Sequence, residues 1–288
     1  MPELPEVETL RRGLEQGAVG QGITGARVTN PKALKGQDEA DFHARVLGRT
    51  ISGVERRGKY LLIPLGAAAA AEPVKAPPRG VLPSISLCIH LKMRGQLLLE
   101  DNAAPAGRYH CVTLTLSGGR DLRFYDMWTW GEMRALTPEE MGGIEGLAGM
   151  GREPLEPGWN GAALGAALAG RRAAIKPTLL DQRVVAGVGN IYADEALFRA
   201  RIHPQRVACT LSGEEIERLA GAVRSVLHEA IAGGGTTSED YVDVAGVPGR
   251  YRPRVYDRGG APCDACGMAL SRIRLGGRGT VFCPACQS

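Results

Sequence analysis

The chain has 288 residues, 44% of them hydrophobic, and a formal net charge of +4. That length holds two ordinary domains with a core in each, and the hydrophobic share excludes a disordered chain. No apolar run approaches the roughly 18 residues of a membrane span, and no charged-then-apolar leader opens the chain, so a cytoplasmic protein without membrane contact is expected.

Residues 5–16 (PEVETLRRGLEQ) read as a helix, with proline and carboxylates at its start and Val7, Leu10 and Leu14 at helical spacing. That explains Pro5 but leaves Pro2 and Glu3 without a structural purpose. Segments 23–30, 49–65, 84–100 and 110–116 alternate apolar and polar residues and predict strands of an antiparallel sandwich or barrel. Between two of them, the Ala/Pro-rich stretch 66–83 reads as a surface insertion with no core role. After about residue 136 the pattern turns helical: TPEEMGGI, then 160–171, 175–202 and 211–235. The last of these is capped by Ser212, with Glu214 and Glu215 in its first turn, and stops at three glycines.

Seven cysteines fall into two groups. Cys88, Cys111 and Cys209 are isolated and read as small hydrophobes. Cys263, Cys266, Cys283 and Cys286 form C-x2-C-x16-C-x2-C, the spacing of a tetrahedral four-thiolate site, and one structural Zn²⁺ is expected there. Two disulfides or redox pairs are the alternative, which an intracellular chain disfavours. The ribbon so held would be 267–282, with Arg278 among three glycines in its turn. Such a tip suits a phosphate or a DNA groove, or is an ordinary turn with an exposed arginine. From Arg250 to Arg278 there are seven arginines and only two acids, for a net +5. This fits phosphate binding or a plain solvated face. In GVGNIYADE, Gly187 and Gly189 open a helix at Asn190, and the exposed N–H groups could take an anion. Asn190 either caps that helix or donates to a phosphate. Lys176 lies in an apolar stretch, so its ammonium should reach solvent or a ligand.

PELPEVE at the start, GKYL at 58–61, HLKMRG at 90–95, GVGNIYADE at 187–195 and the terminal four-cysteine spacing occur in this order. Together they resemble the formamidopyrimidine-DNA glycosylase family of the Fpg/Nei superfamily, over nearly the whole chain outside 66–83. The resemblance implies an α+β fold. Residues 1–134 would be an N-terminal catalytic β-sandwich, 135–235 a helix–two-turn–helix DNA-binding domain, and 236–288 a lesion-capping loop with a four-cysteine zinc ribbon. It implies a monomer that binds double-stranded DNA carrying oxidised bases or abasic sites and associates with the nucleoid when bound.

It also gives the terminal proline a purpose. With Met1 removed, Pro2 becomes a secondary amine, and a partly neutral α-amine near pH 7 is a nucleophile towards an aldehyde-like carbon. The resemblance implies that Pro2 attacks C1′ and displaces the base, with β- and δ-elimination following. Glu3 would be the general acid/base and Lys59 would contact phosphate and assist base release. Glu6 would be a second carboxylate at the base pocket, or else merely an N-terminal helix charge. Met93 would fill the gap left by a flipped base, although on its own it reads as a core methionine. His90, Lys176, Asn190, Tyr256 and Arg278 would contact DNA, Arg278 also acting in catalysis. Thr236 and Tyr241 of the glycine-rich stretch 233–249 would close over the base as part of a lid.

One stretch departs from the family pattern. DMWTWG (126–131) stands where D-[PV]-R-[RK]-F-G is usual, so Trp130 replaces a wedge phenylalanine and Trp128 an arginine that reads the opposite cytosine. Both remain candidate DNA contacts, but one indole N–H cannot copy a guanidinium fork. Weaker discrimination of the opposite base is expected. The reading is a bifunctional glycosylase/AP lyase for oxidised purines. The alternatives are an endonuclease VIII-like enzyme for oxidised pyrimidines and a non-catalytic binder of damaged DNA.

Overall fold

The computed structural model describes residues 1–67, 84–237 and 240–288. Residues 68–83 of the expected insertion lie outside the described residues, as do Ser238 and Glu239. The chain divides into two units. The first comprises residues 1–2, 6–148 and 237–249; the second comprises 3–5, 149–236 and 250–288.

Helix α1 (Leu4–Gly17) opens the chain and contributes Val7, Leu10 and Leu14 to the core of the first unit. Then follow β1 (Ile23–Val28), α2 (Glu39–Val46), β2 (Thr50–Ile51), β3 (Glu55–Arg57) and β4 (Tyr60–Gly66). β5 (Ile85–His90), β6 (Gln96–Asp101), β7 (His110–Leu116), β8 (Arg120–Tyr125) and β9 (Glu132–Leu136) complete the strands of this unit. One antiparallel sheet has the order β1-β7-β8-β6; the other runs β2-β4-β5-β9, with β3 also paired to β4. Both enclose one core that includes Leu61, Ile63, Leu87, Leu97, Leu114, Leu122 and Phe124. This is the predicted sandwich. α3 (Pro138–Gly142), with a Thr137–Glu140 capping box, and α4 (Glu145–Ala148) end the unit.

Two expected strands are each broken in the structure. Segment 49–65 becomes β2, β3 and β4, because Gly58 (φ 56°) and Lys59 form a two-residue hairpin turn between Arg57 and Tyr60. Segment 84–100 becomes β5 and β6, in different sheets. The chain turns at Leu91–Gly95, where Lys92 adopts φ 51° and Gly95 donates to the Leu91 carbonyl at 2.9 Å. A Cβ at Gly95 would stand 2.5 Å from that oxygen, so only glycine allows the turn. β8 escaped the sequence reading because Asp121 and Arg123 disguise a strand buried nearly throughout. In the fold their charges pair at 2.9 Å.

The second unit is helical. α5 (Gly161–Leu168), α6 (Ile175–Leu180), α7 (Asn190–Ala200) and α8 (Gly213–Ala232) pack around Leu4, Trp159, Leu179, Val188, Leu197, Leu219 and Leu227. The stretch 175–202 is therefore two helices, divided by the glycine turn. α8 begins with the expected Ser212 cap, reinforced by Glu215 as a capping box, and ends at Gly233. A hairpin of β10 (Ser271–Leu275) and β11 (Arg278–Phe282) completes the unit, turning on Gly276 and Gly277 at φ 55° and 78°. Its small core holds Phe198, Val255, Leu270 and Val281 with Cys263 and Cys283. Among the described residues no helix is long and apolar enough to cross a membrane.

Candidate active site

In the second unit, the start of α7 is closed by Glu3. Helix starts leave backbone N–H groups unpaired and carry partial positive charge. Gly189, the N-cap residue, has no side chain to satisfy them. The Glu3 carboxylate, 3% exposed, does so instead. It accepts from Gly189 N–H (2.8 Å), Ile191 N–H (3.0 Å) and Tyr192 N–H (3.4 Å). The anion that the glycine turn was expected to take is thus supplied by the chain itself. Leu4 N–H donates to the Gly187 carbonyl at 3.0 Å. Gly187 sits at φ 78°, where a Cβ would come 2.6 Å from the Leu4 side chain. Glycine is required there for both backbone angle and approach.

Asn190 does not cap its helix. Its Nδ2 donates to the Gly279 carbonyl at 3.1 Å, tying α7 to the ribbon. The Tyr256 phenol hydrogen-bonds Asn190, and burial and then Glu3 raise its pKa. Lys176 contradicts its expectation: it is wholly buried. Its ammonium meets Asp194 Oδ1 at 2.7 Å, the Gly279 carbonyl at 2.8 Å and Thr280 Oγ1 at 2.9 Å. Asp194 accepts a further bond from Val281 N–H at 3.1 Å. All three Lys176 protons are engaged, so this lysine positions the ribbon turn rather than reaching solvent. Burial pushes the Asp194 carboxyl up to about 6 and the Lys176 ammonium down, and their contact opposes both shifts. Arg278 is exposed at the ribbon tip, opposite Leu275. Arg272 and Arg274 project from the other face of the hairpin, while Arg258 pairs with Asp264 at 2.8 Å. The seven arginines therefore do not form one face. Thr236 is buried, its hydroxyl 2.8 Å from the Tyr192 phenol.

In the first unit Pro2 is buried, as are Glu6 and Lys59. Lys59 occupies the β3–β4 turn. Arg56 fixes that turn by donating to the Gly58 carbonyl (3.1 Å) and to Glu8 (3.1 Å). Burial raises the Glu8 carboxyl, but Arg11, Arg12 and Arg56 outweigh it and hold the pKa below the usual range. Tyr241 donates to the Glu6 carbonyl at 3.2 Å. The glycines of 233–249 suggested a loose lid, yet its described part from Asp240 onward is anchored. Leu99 N–H donates to the Val244 carbonyl at 2.8 Å, and Val244 packs against Gly13, where a Cβ would collide at 2.4 Å. His90 ends β5. Its Nδ1 accepts from Lys92 N–H at 2.9 Å, and burial, with Lys92 and Lys59, lowers its pKa to about 3. Met93 is half-buried in the following turn and outside the core cluster, so the core reading fails for it. Trp128 and Trp130 are exposed, with ring centroids 4.8 Å apart.

The four terminal cysteines converge. All four sulfurs lie within 4.8 Å of one another, with Cys263–Cys286 at 4.0 Å and Cys266–Cys283 at 3.5 Å, and none forms a disulfide. The disulfide alternative is thereby set aside in favour of a four-sulfur metal site. Sequence reasoning missed Asp194, Arg56 and Arg94, whose charged partners Lys176, Glu8 and Asp240 are distant in the chain and leave no local pattern.

Three family models match the chain. They are the formamidopyrimidine-DNA glycosylase N-terminal domain over residues 1–133, the formamidopyrimidine-DNA glycosylase H2TH domain over 150–241, and a zinc finger found in FPG and IleRS over 260–288. The formamidopyrimidine-DNA glycosylase of Desulfitobacterium hafniense is 44% identical, with both chains covered in full. That of Moorella thermoacetica is 44% identical over 95% of each chain. The crystal structure of MutM (Fpg) from Thermus thermophilus superposes with a TM-score of 0.83 at 39% identity, covering 99% of this chain and 98% of that one. A Lactococcus lactis Fpg variant in complex with DNA containing Fapy-dG gives 0.87 at 31%, both chains covered in full. The chain belongs to the formamidopyrimidine-DNA glycosylase family. It is a DNA glycosylase of base excision repair, of mixed α+β fold with a helix–two-turn–helix domain and a C-terminal four-cysteine metal site.

Proposed function

We propose that this chain excises oxidised purines, formamidopyrimidines and 8-oxoguanine, from double-stranded DNA and then cleaves the strand, with Pro2 as nucleophile. The observation that carries this reading is the fixed carboxylate of Glu3. Three backbone N–H groups at the start of α7 fix the carboxylate of Glu3, the residue that follows Pro2 in the chain, so the acid/base group is held in one orientation. Once Met1 is removed, the Pro2 nitrogen attacks C1′ and the glycosidic bond breaks. Glu3 delivers a proton to the ring oxygen as the sugar opens to an iminium. The iminium acidifies the C2′ hydrogen; its loss breaks the 3′ phosphodiester, and a second elimination breaks the 5′ one. Lys59 assists release of the base, and Glu6, Thr236 and Tyr241 belong to the base pocket. His90, Met93, Asn190, Tyr256 and Arg278 contact the DNA, Arg278 from the ribbon tip.

Zn²⁺ fits the four-cysteine site. Zn–S bonds of about 2.3 Å in a tetrahedron place sulfurs about 3.8 Å apart, close to the 3.5 and 4.0 Å found here. Cys263, Cys266, Cys283 and Cys286 would hold it with no position left for water, so the ion supports the ribbon and takes no part in the chemistry.

Borohydride trapping on a duplex with one formamidopyrimidine opposite cytosine, followed by peptide mapping, tests the reading. A covalent adduct on Pro2 is expected. Protein shown to lack Met1 that yields no adduct, or an adduct on a lysine, refutes the assignment.

A further inference from the structure

Two parts of the first unit meet at one residue. The turn at Leu91–Gly95 carries Met93, and the segment that starts at Asp240 carries Tyr241. β6 is the outermost strand of its sheet, and that segment runs along its open edge, with Leu99 N–H donating to the Val244 carbonyl at 2.8 Å. Where this contact begins, Arg94 and Gln96 both reach Asp240. The Arg94 guanidinium pairs with the Asp240 carboxylate, and Gln96 Nε2 donates to the Asp240 carbonyl. Arg94 is not free to swing away, because its guanidinium lies 5.0 Å over the Trp128 ring. Beyond Asp240, the Tyr241 carbonyl accepts from the Thr237 hydroxyl at 3.2 Å, and the Tyr241 phenol donates to the Glu6 carbonyl at 3.2 Å. Met93, Arg94, Asp240, Tyr241 and Glu6 thus lie on one connected path.

An ion pair whose side chains are 25% and 55% exposed adds little to stability. Its importance lies in what it joins. A side chain can fill a gap in the stack only when a base has left it, and a base pocket has something to hold only then. A base extruded over an open gap falls back, and a side chain pressed into an intact stack finds no room. We propose that Arg94 and Asp240 are positioning residues that join these two events, so that Met93 enters the stack as the segment of Tyr241 receives the base. The link works in both directions. The factor by which a filled gap tightens the hold on the base is the factor by which a held base favours filling the gap.

This inference rests on the function proposed above, and the test keeps their failures apart. Single-turnover rates are measured for excision of a formamidopyrimidine from a duplex and for cleavage of a preformed abasic site, which leaves a gap to fill but offers no base to hold. Asp240→Asn is expected to slow excision by about 5- to 30-fold, within the range by which residues between two coupled sites alter the coupling, and to slow abasic-site cleavage by clearly less. Arg94→Asp alone and Asp240→Arg alone each set like charges together and should lose at least as much. The double variant with both changes should recover most of the loss. Neither a folding defect nor a lost phosphate contact at Arg94 would be mended by that exchange. Full excision by Asp240→Asn, equal losses on the two substrates, or an exchange that recovers nothing overturns the link and leaves the proposed function standing. Wild-type protein that acts on neither substrate overturns that function, and the link with it.

Discussion

His90 is surrounded by influences that remove its charge. It is 8% exposed, and burial first, then the charges of Lys92 and Lys59, lower its pKa to about 3. Because Nδ1 accepts a backbone N–H, the neutral ring carries its proton on Nε2. His90 is therefore a neutral donor across the physiological range, and its part in any phosphate contact does not depend on pH. Its ring resonances should stay flat from pH 8 to pH 5 in an NMR titration; a midpoint near 6.5 would contradict the burial argument. The sign for stability follows. The unfolded chain takes up this proton near pH 6.5 and the folded one only near 3. The stability linked to His90 is thus complete above about 6.5 and is lost as the pH falls towards 3. The sequence offered the residue, since HLKMRG was legible, but not its charge state, which depends on packing. Glu3 repeats the lesson: its position beside Pro2 was readable, whereas its three partners lie almost 190 residues away.

Elements were legible where one periodicity ran unbroken. α8 was readable from cap to stop because Ser212, the paired glutamates and the glycines all agree with its apolar spacing. β8 was not, because its charges cancel each other out of sight; the segment 175–202 reads as one helical stretch, yet the glycine turn that opens α7 at Asn190 is itself readable. The joint among α6, α7 and the ribbon was wholly illegible. It rests on Lys176 and Asp194, both buried, with Gly279, Thr280 and Val281 completing their bonds. Breaking such a pair leaves one charge buried alone, which costs about 3–5 kcal/mol. Lys176→Met should lower stability in denaturant unfolding by about that amount. The double variant with Asp194→Leu should lose clearly less than the two single losses added together. Additive losses would show that the two charges do not depend on each other.

At the scale of the whole molecule, the ribbon differs from the sandwich in what sustains it. The sandwich has a core of many large aliphatic side chains, whereas the ribbon core counts only a handful of apolar residues and includes two of the metal-binding sulfurs. So small a core does not hold a fold without a staple. Chelation should strip protection from the amides of residues 263–286 in hydrogen exchange while those of β4, β5, β7 and β8 keep theirs. Metal analysis of the untreated protein should find one zinc per chain. Uniform retention of protection after removal of the metal would show that the ribbon stands without it. This division was visible in the sequence as a change of composition, because sulfur spacing and strand alternation are local signals. The assignment of residues 3–5 to one unit and of residues 1–2 to the other was not.

The burial of Pro2 gives the enzyme a schedule. A peptidase that trims a single residue must draw a length of extended chain into its cleft, but here Pro2 is covered and Glu3 and Leu4 are bonded to the turn before α7. Trimming after folding would have to pull the cap out of a helix. On the proposal that Pro2 is the nucleophile, Met1 must therefore be removed while the chain is leaving the ribosome, and a molecule that folds first would lack its reacting amine.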